Sequence, residues 1–202
     1  MLTQNLPDYW ERLYSAGNDN WDLGKSNPSL EWFLQHPSCP KTGRVLVTGA
    51  GRGWDAEAWS KLGYETVAVD FCPTAVDSLD SLSRKYENLK AVDQDVFEIQ
   101  PKTLGTFDVI YDYGCFSAIH PGRRDEMFEV WSRMLNPEGV VLAFFYPMMS
   151  GSSPKPPHPT SEGELMARLD GIFDVIEQIP AENSAPGREG KEVIWILKPS
   201  ED

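Results

Sequence analysis

Short apolar, β-rich runs alternate along the chain with segments whose apolar residues recur at helical spacing. Arg44-Val45-Leu46-Val47-Thr48 predicts a strand ending at Gly49, and Ala56 to Leu62 predicts a helix stopped by Gly63. Glu65 to Asp70 reads as a second strand, Thr74 to Tyr86 as a helix, and Leu89 to Val92 as a short third strand. Phe107 to Asp112 follows as a fourth strand and Arg124 to Leu135 as a helix. Asn136-Pro137-Glu138-Gly139 then reads as a turn before the apolar run Val140 to Phe145. The stretch Pro147 to Pro159 is too rich in proline and glycine for a helix or a central strand and reads as a long surface loop. After it, Ser161 to Leu169 predicts a helix. Phe173 to Gln178 and Glu192 to Leu197 predict a hairpin across a loop near Ala185-Pro186-Gly187-Arg188.

Repeated strand-helix units with buried-looking strands imply an α/β fold of three layers, α/β/α. Its seven-stranded, mostly parallel sheet would be covered on both faces and end in an antiparallel hairpin. Length favours one domain, residues 1–202. Within it, residues 1–43 form an N-terminal arm, 44–146 a βα core, and 147–202 a loop followed by the last helix and hairpin. The arm carries Trp10, Tyr14, Trp21 and Trp32, a heavy aromatic load for a segment outside the sheet.

Composition narrows the choice. Hydrophobic residues make up 41% and are dispersed, with no run near the roughly 18 apolar residues of a membrane-spanning helix. The N-terminus, Met1 to Asp8, lacks the basic start and apolar stretch of a signal peptide, so a cytoplasmic location is the expectation. A formal charge of −13 opposes the approach of a polyanion, which argues against nucleic acid as a partner. Cys39, Cys72 and Cys115 are odd in number and far apart, and His36, His120 and His158 show no ligand spacing. Neither a disulfide framework nor a metal site is expected.

The chemistry concentrates where the first strand turns into a helix. Gly49-Ala50-Gly51-Arg52-Gly53 opens a βαβ unit, and small residues there let the backbone approach a ligand closely. Asp70 closes the second strand, where a carboxylate can accept both ribose hydroxyls of a nucleotide cofactor. Dinucleotide sites favour G-x-G-x-x-G with the pyrophosphate at a helix N-terminus. Here the spacing is G-x-G-x-G followed by Trp54-Asp55, and an acidic residue beside the loop would repel a pyrophosphate. A cofactor without phosphates fits better, and S-adenosylmethionine carries an ammonium, a sulfonium and an adenosine. Asp95 is placed to accept the adenine amino group while Val96 and Phe97 pack beside the ring.

Taken together, these motifs resemble the thiopurine S-methyltransferase-like branch of class I methyltransferases, and within it the thiol and halide methyltransferases. The likeness runs through Trp10, Tyr14, Trp21-Asp22-Leu23-Gly24 and Pro28, the glycine loop with Trp54-Asp55, and Phe107-Asp108-Val109-Ile110-Tyr111-Asp112-Tyr113. It continues through Leu135 to Gly139, Tyr146-Pro147, Pro156-Pro157 and the tail Ser184 to Glu192. The resemblance implies a Rossmann-like methyltransferase that moves the methyl group of S-adenosylmethionine to a small acceptor, a thiol or an inorganic anion. It implies an arm closing through Trp10, Tyr14 and Trp21, and cofactor contacts at Gly49, Ala50, Gly51, Asp70, Phe71, Asp95, Val96, Phe97 and Tyr113. It also implies a monomer. Tyr113, Tyr146 and His120 are the candidates to relay a proton, and Cys115, Phe116, His120 and the loop Met148 to His158 are expected to border the acceptor. Ala50, Trp54, Lys25, His120 and Gly122 depart from the family pattern, which puts the acceptor site in doubt more than the cofactor site. An aromatic thiol or another small metabolite as acceptor, a silent binding protein and a nicotinamide-dependent oxidoreductase are the competing readings.

Overall fold

The computed structural model describes residues 6–181 and 183–200. Residues 1–5, within the terminus read above as lacking a leader, lie outside the described residues, as do Glu182, Glu201 and Asp202. Seven strands form one sheet: β1 Arg44–Thr48, β2 Glu65–Asp70, β3 Leu89–Asp93, β4 Phe107–Tyr113, β5 Leu135–Phe145, β6 Phe173–Pro180 and β7 Val193–Pro199. Their order is β3-β2-β1-β4-β5-β7-β6. The first five run parallel, whereas β7 lies antiparallel between β5 and β6.

Alternation along the central strands sorts the core into two layers, because successive side chains point to opposite faces. Val45, Val47, Val109, Tyr111, Leu142 and Ile196 face one way. They pack under α2 Leu30–Gln35, α3 Trp54–Lys61 and α4 Pro73–Lys85. Leu46, Ile110, Val141, Ala143 and Trp195 face the other way. They meet α5 Pro101–Leu104, α6 Cys115–Ala118, α7 Arg124–Met134 and α8 Glu162–Leu169. Trp59, Trp131 and Trp195 are fully buried, and a buried side chain of that size contributes about 3 kcal/mol or more over an exposed one.

The helix ends follow their sequences. Pro73 starts α4 and Arg84 and Lys85 close it, which suits the dipole at each end. The Ser161 hydroxyl accepts the Glu164 N–H at 3.3 Å, which sets the start of α8.

Three features depart from the sequence reading. The arm contains α1 Pro7–Ser15 as well as α2. Helix α1 is short and anchored from outside itself: Glu11 accepts the Thr74 N–H at 2.9 Å and the Thr74 hydroxyl at 2.8 Å, capping α4. Asn136 to Gly139 is not a turn ahead of β5 but an excursion within it, since Phe107 pairs with Leu135 and Val109 with Val140. Asn136 holds that excursion by donating to Asp108 at 2.7 Å and accepting from the Thr106 hydroxyl. The proline-rich loop is pinned at its ends, with Met149 N donating to Thr160 O and His158 N to Ser117 O, both at 2.8 Å.

Candidate active site

The strand order reverses between β1 and β4, so their C-terminal ends splay apart and leave the crevice typical of open α/β sheets. A cavity of about 610 Å³ opens there, well within the size of small-molecule sites. Its floor is the glycine loop. Gly49, Gly51 and Gly53 have φ of 53°, 54° and 85°, which side-chain-bearing residues adopt at a cost of about 1–2 kcal/mol each. At Gly49 space is short as well, since a Cβ would stand 2.8 Å from Cys115 Sγ.

Asp70 ties the loop to β2. Oδ2 accepts the Gly51 N–H at 2.8 Å, and Oδ1 accepts those of Phe71 at 2.8 Å and Cys72 at 3.0 Å. Burial pushes its carboxyl pKa up, while the three N–H donors pull it down. Three of roughly four acceptor positions are therefore filled by backbone. On the next strand's exit, Asp95 accepts the Phe97 N–H at 3.0 Å and turns Val96 and Phe97 toward the cavity. The Arg123 guanidinium stacks 3.5 Å over the Phe97 ring, closing that end.

The arm forms the roof. Trp10 meets Trp21 edge-on at 5.4 Å, and Tyr14 meets Trp21 edge-on at the same separation. Arg52 fastens this aromatic cluster to the glycine loop. Its guanidinium lies 4.9 Å over the Tyr14 ring and pairs with Asp19 at 2.9 Å and Asp22 at 2.8 Å. Trp54 Nε1 adds a bond to Asp22 at 2.8 Å, and Asp55 accepts the Asn27 N–H at 2.7 Å.

The opposite wall is cationic. Arg188 lies 4.9 Å over Tyr113 and 5.0 Å over Tyr146, and pairs with the fully buried Glu192 side chain at 3.4 Å. Burial pushes the Glu192 carboxyl pKa up against the pull of Arg188. Burial also raises the Tyr113 hydroxyl above its ordinary value, so it stays protonated at neutral pH. Lys155, Pro156 and Pro157 from the pinned loop complete this side.

Trp10, Tyr14, Trp21, Gly49, Ala50, Gly51, Asp70, Phe71, Asp95, Val96, Phe97, Tyr113 and Tyr146, all singled out in the sequence, line this one cavity. Cys115 does too. His120 does not: its Nδ1 accepts the Gly122 N–H at 3.1 Å as the cap of a short 3₁₀ turn, and its ring faces His158 at 5.9 Å. Phe116 also belongs elsewhere, packed in the core against Phe128, Trp131 and Phe145. Sequence reasoning missed the roles of Arg188 and Glu192, seen only as landmarks, and of Arg52, Arg123 and Asp55. Among the described residues no group of three His, Cys, Asp or Glu side chains is arranged to hold a metal ion.

A seven-stranded sheet of this order, with a glycine loop, a second-strand acid and an aromatic roof over one crevice, defines a class I S-adenosylmethionine-dependent methyltransferase. The profile of the thiopurine S-methyltransferase family matches residues 5–193, and the chain belongs to that family. It is 29% identical to the probable thiol methyltransferase 2 of Arabidopsis thaliana, covering 99% of this chain and 88% of the relative. It is 29% identical to thiocyanate methyltransferase 1 of the same plant, covering 94% and 83%. In fold it is similar to Burkholderia thailandensis 1,6-didemethyltoxoflavin-N1-methyltransferase, solved with 1,6-didemethyltoxoflavin and S-adenosylhomocysteine. There the TM-score is 0.76 at 22% identity, with 98% of this chain and 88% of that one covered.

Proposed function

We propose that this chain methylates a small anionic nucleophile, a thiolate or an inorganic anion such as a halide, hydrosulfide or thiocyanate. The observation that carries the reading is Arg188, a cation held over Tyr113 and Tyr146 across the cavity from the glycine loop. When bound, S-adenosylmethionine supplies a methyl group on a positively charged sulfur. The residues present suit such a ligand: Asp22, Asp55, Asp70 and Asp95 border the cavity, and Trp10, Tyr14 and Trp21 offer aromatic surface that attracts cations without acting as nucleophiles. Gly49, Ala50 and Gly51 would leave room for its amino-acid part, and Asp95, Val96 and Phe97 would hold the adenine. Asp70, with about one acceptor position left, would take one ribose hydroxyl rather than both.

In-line displacement asks the protein for alignment and exclusion of water, effects worth several kcal/mol. Arg188 would draw the anion in and orient it, with the Tyr113 hydroxyl donating to it. The arm, fastened by Arg52, would keep water out. No dedicated base is needed, because halide and thiocyanate are already anionic and a free thiol of pKa near 8.5 is a few per cent thiolate at neutral pH. An aromatic thiol is the second reading, favoured by Tyr146, Pro156 and Pro157 on the acceptor wall.

We further read the protein as a cytoplasmic monomer that engages neither nucleic acid nor membrane. The formal charge of −13, which opposes the approach of a polyanion or an anionic membrane, supports this. Among the described residues no helix is long and apolar enough to cross a membrane. Release of S-adenosylhomocysteine with iodide, hydrosulfide, thiocyanate and a panel of thiols tests the acceptor; turnover of none of them would overturn the reading.

A further inference from the structure

A carboxylate facing a cavity with no cation beside it is costly, because its ionised form loses hydration without gaining a partner. Among the described residues, Asp55 is in that position. It stands in the first turn of α3, and one oxygen accepts the Asn27 N–H at 2.7 Å while the side chain borders the cavity. The arginines nearby are already engaged, Arg52 with Asp19 and Asp22 and Arg188 with Glu192. Lys25 is exposed at the rim. Among the described residues, the Tyr111 hydroxyl lies close to Asp55 and Asn27, and the buried Tyr113 hydroxyl close to Arg188, each without a hydrogen bond of normal geometry. Desolvation pushes the Asp55 carboxyl up to about 6, against the pull of the Asn27 N–H and, after it, of the Tyr111 hydroxyl.

We propose that Asp55 is a further cofactor-binding residue, its second oxygen receiving the ammonium group of S-adenosylmethionine. This rests on the cofactor contacts proposed above. With adenosine held at the ends of β2 and β3, the methionine end would be left beside the glycine loop, and Asp55 at the start of α3 borders the same cavity. An ammonium offers three N–H donors, whereas a sulfonium offers none. A charge-assisted bond to the carboxylate follows from that match.

A cation beside Asp55 lowers its pKa. Near pH 6 the free enzyme holds part of a proton there, so binding releases it, and affinity declines as pH falls through 6. The groups facing Asp55 from other elements do not mask this. Burial raises the Tyr111 and Tyr113 hydroxyls away from that range, and Asp22 is paired with Arg52.

Calorimetry on the full chain with S-adenosylmethionine and S-adenosylhomocysteine, run in buffers of different ionisation enthalpy, tests the proposal. Both ligands carry the ammonium; one carries the sulfonium. Asp55→Asn keeps an acceptor for the Asn27 N–H, and a thermal melt checks that it folds. It should weaken both ligands about tenfold or more at pH 7.5 and abolish the proton released near pH 6. Asp55→Glu should recover part of the affinity. Wild-type affinity of Asp55→Asn for S-adenosylhomocysteine would overturn the proposal, as would unchanged affinities with slower turnover of neutral thiols, the mark of a base acting on the acceptor. No proton release by the wild type near pH 6 would also overturn it, whatever the variants do. Failure of the wild type to bind either ligand would instead sink the cofactor reading.

Discussion

Asp70 and Arg188 border the same cavity, and they are held there by different means. Asp70 is fixed by three backbone N–H groups, all within a few residues of itself or in the glycine loop. The Arg188 backbone sits in a hydrogen-bonded turn, but its guanidinium is placed by side chains: two aromatic faces from the ends of β4 and β5, and Glu192. A donor site built on main-chain geometry tolerates few changes, because loop, strand and ligand share the same groups. An acceptor site built from side chains on separate segments can be respecified by substituting one of them.

The strongest test of this contrast is Asp70→Ala. It removes the charge-assisted bond to the ligand proposed above, at about 1.5–3 kcal/mol, and strands three N–H groups at about 1–3 kcal/mol each. Affinity for S-adenosylmethionine should fall about 10³-fold or more, and the melting temperature should drop with it. Calorimetry showing affinity within tenfold of wild type would break the main-chain account.

Asp112 stands on the boundary between the halves, at the end of β4. It is fully buried, with its oxygens accepting the Phe116 N–H at 3.0 Å and the Thr48 hydroxyl at 2.8 Å. Burial nevertheless pushes its carboxyl from 3.8 up to about 6. The folded state thus prefers the protonated form, so this group's contribution to stability is greatest below pH 3.8 and is lost as pH rises to about 6. Asp112→Asn keeps the shape and avoids that loss. It should be more stable than wild type by up to about 3 kcal/mol at pH 7.5, at 1.36 kcal/mol per pKa unit. The advantage should vanish near pH 4 in denaturant titrations.

Arg188→Gln addresses the acceptor half alone. Loss of one charge-assisted contact, about 1.5–3 kcal/mol, should lower kcat/KM for iodide or thiocyanate about 10²-fold. Affinity for S-adenosylmethionine should stay within about threefold of wild type, since Arg188 makes none of the main-chain contacts around Asp70. Equal losses in both measurements would mean that the two halves are one unit.

The same contrast explains what could be read in the sequence. The β1 strand, the glycine loop and Asp70 are contiguous, and glycine is itself a signal for the backbone conformation that Gly49 and Gly51 adopt. The seven strands and the mostly parallel sheet ending in a hairpin followed from strand patterning, because buried strands leave apolar runs; the strand order did not. Arg188 left no such trace: its role depends on Tyr113 and Tyr146, which only the packing of β4, β5 and the C-terminal loop brings to it. His120 reads more readily as a cap than as a catalyst, and its Nδ1 accepts the Gly122 N–H in that role. Helix α1 left a weak trace because it is nine residues long and its shorter Glu11 bonds go to Thr74 in α4, at 2.9 and 2.8 Å, against 3.4 Å to Ser15 within α1. The backbone N–H of Thr74 is the main reason the Glu11 carboxyl lies below its ordinary pKa.

The smallest effect belongs to Arg52, which joins the arm to the donor half. Its ion pairs with Asp19 and Asp22 are about one-third exposed on the arginine side, so each is worth about 0–1 kcal/mol. The contact over Tyr14 adds about 0.5–1 kcal/mol at such a site. Arg52→Met should therefore weaken S-adenosylmethionine binding only about fivefold. It should speed amide exchange across residues 7–22 while leaving β1 and α3 protected, and raised salt should shrink the difference between the two proteins. If the arm exchanges no faster in the variant, the aromatic cluster of Trp10, Tyr14 and Trp21 holds the roof without Arg52, and the arm is a side-chain assembly in its own right, independent of the glycine loop that carries Arg52.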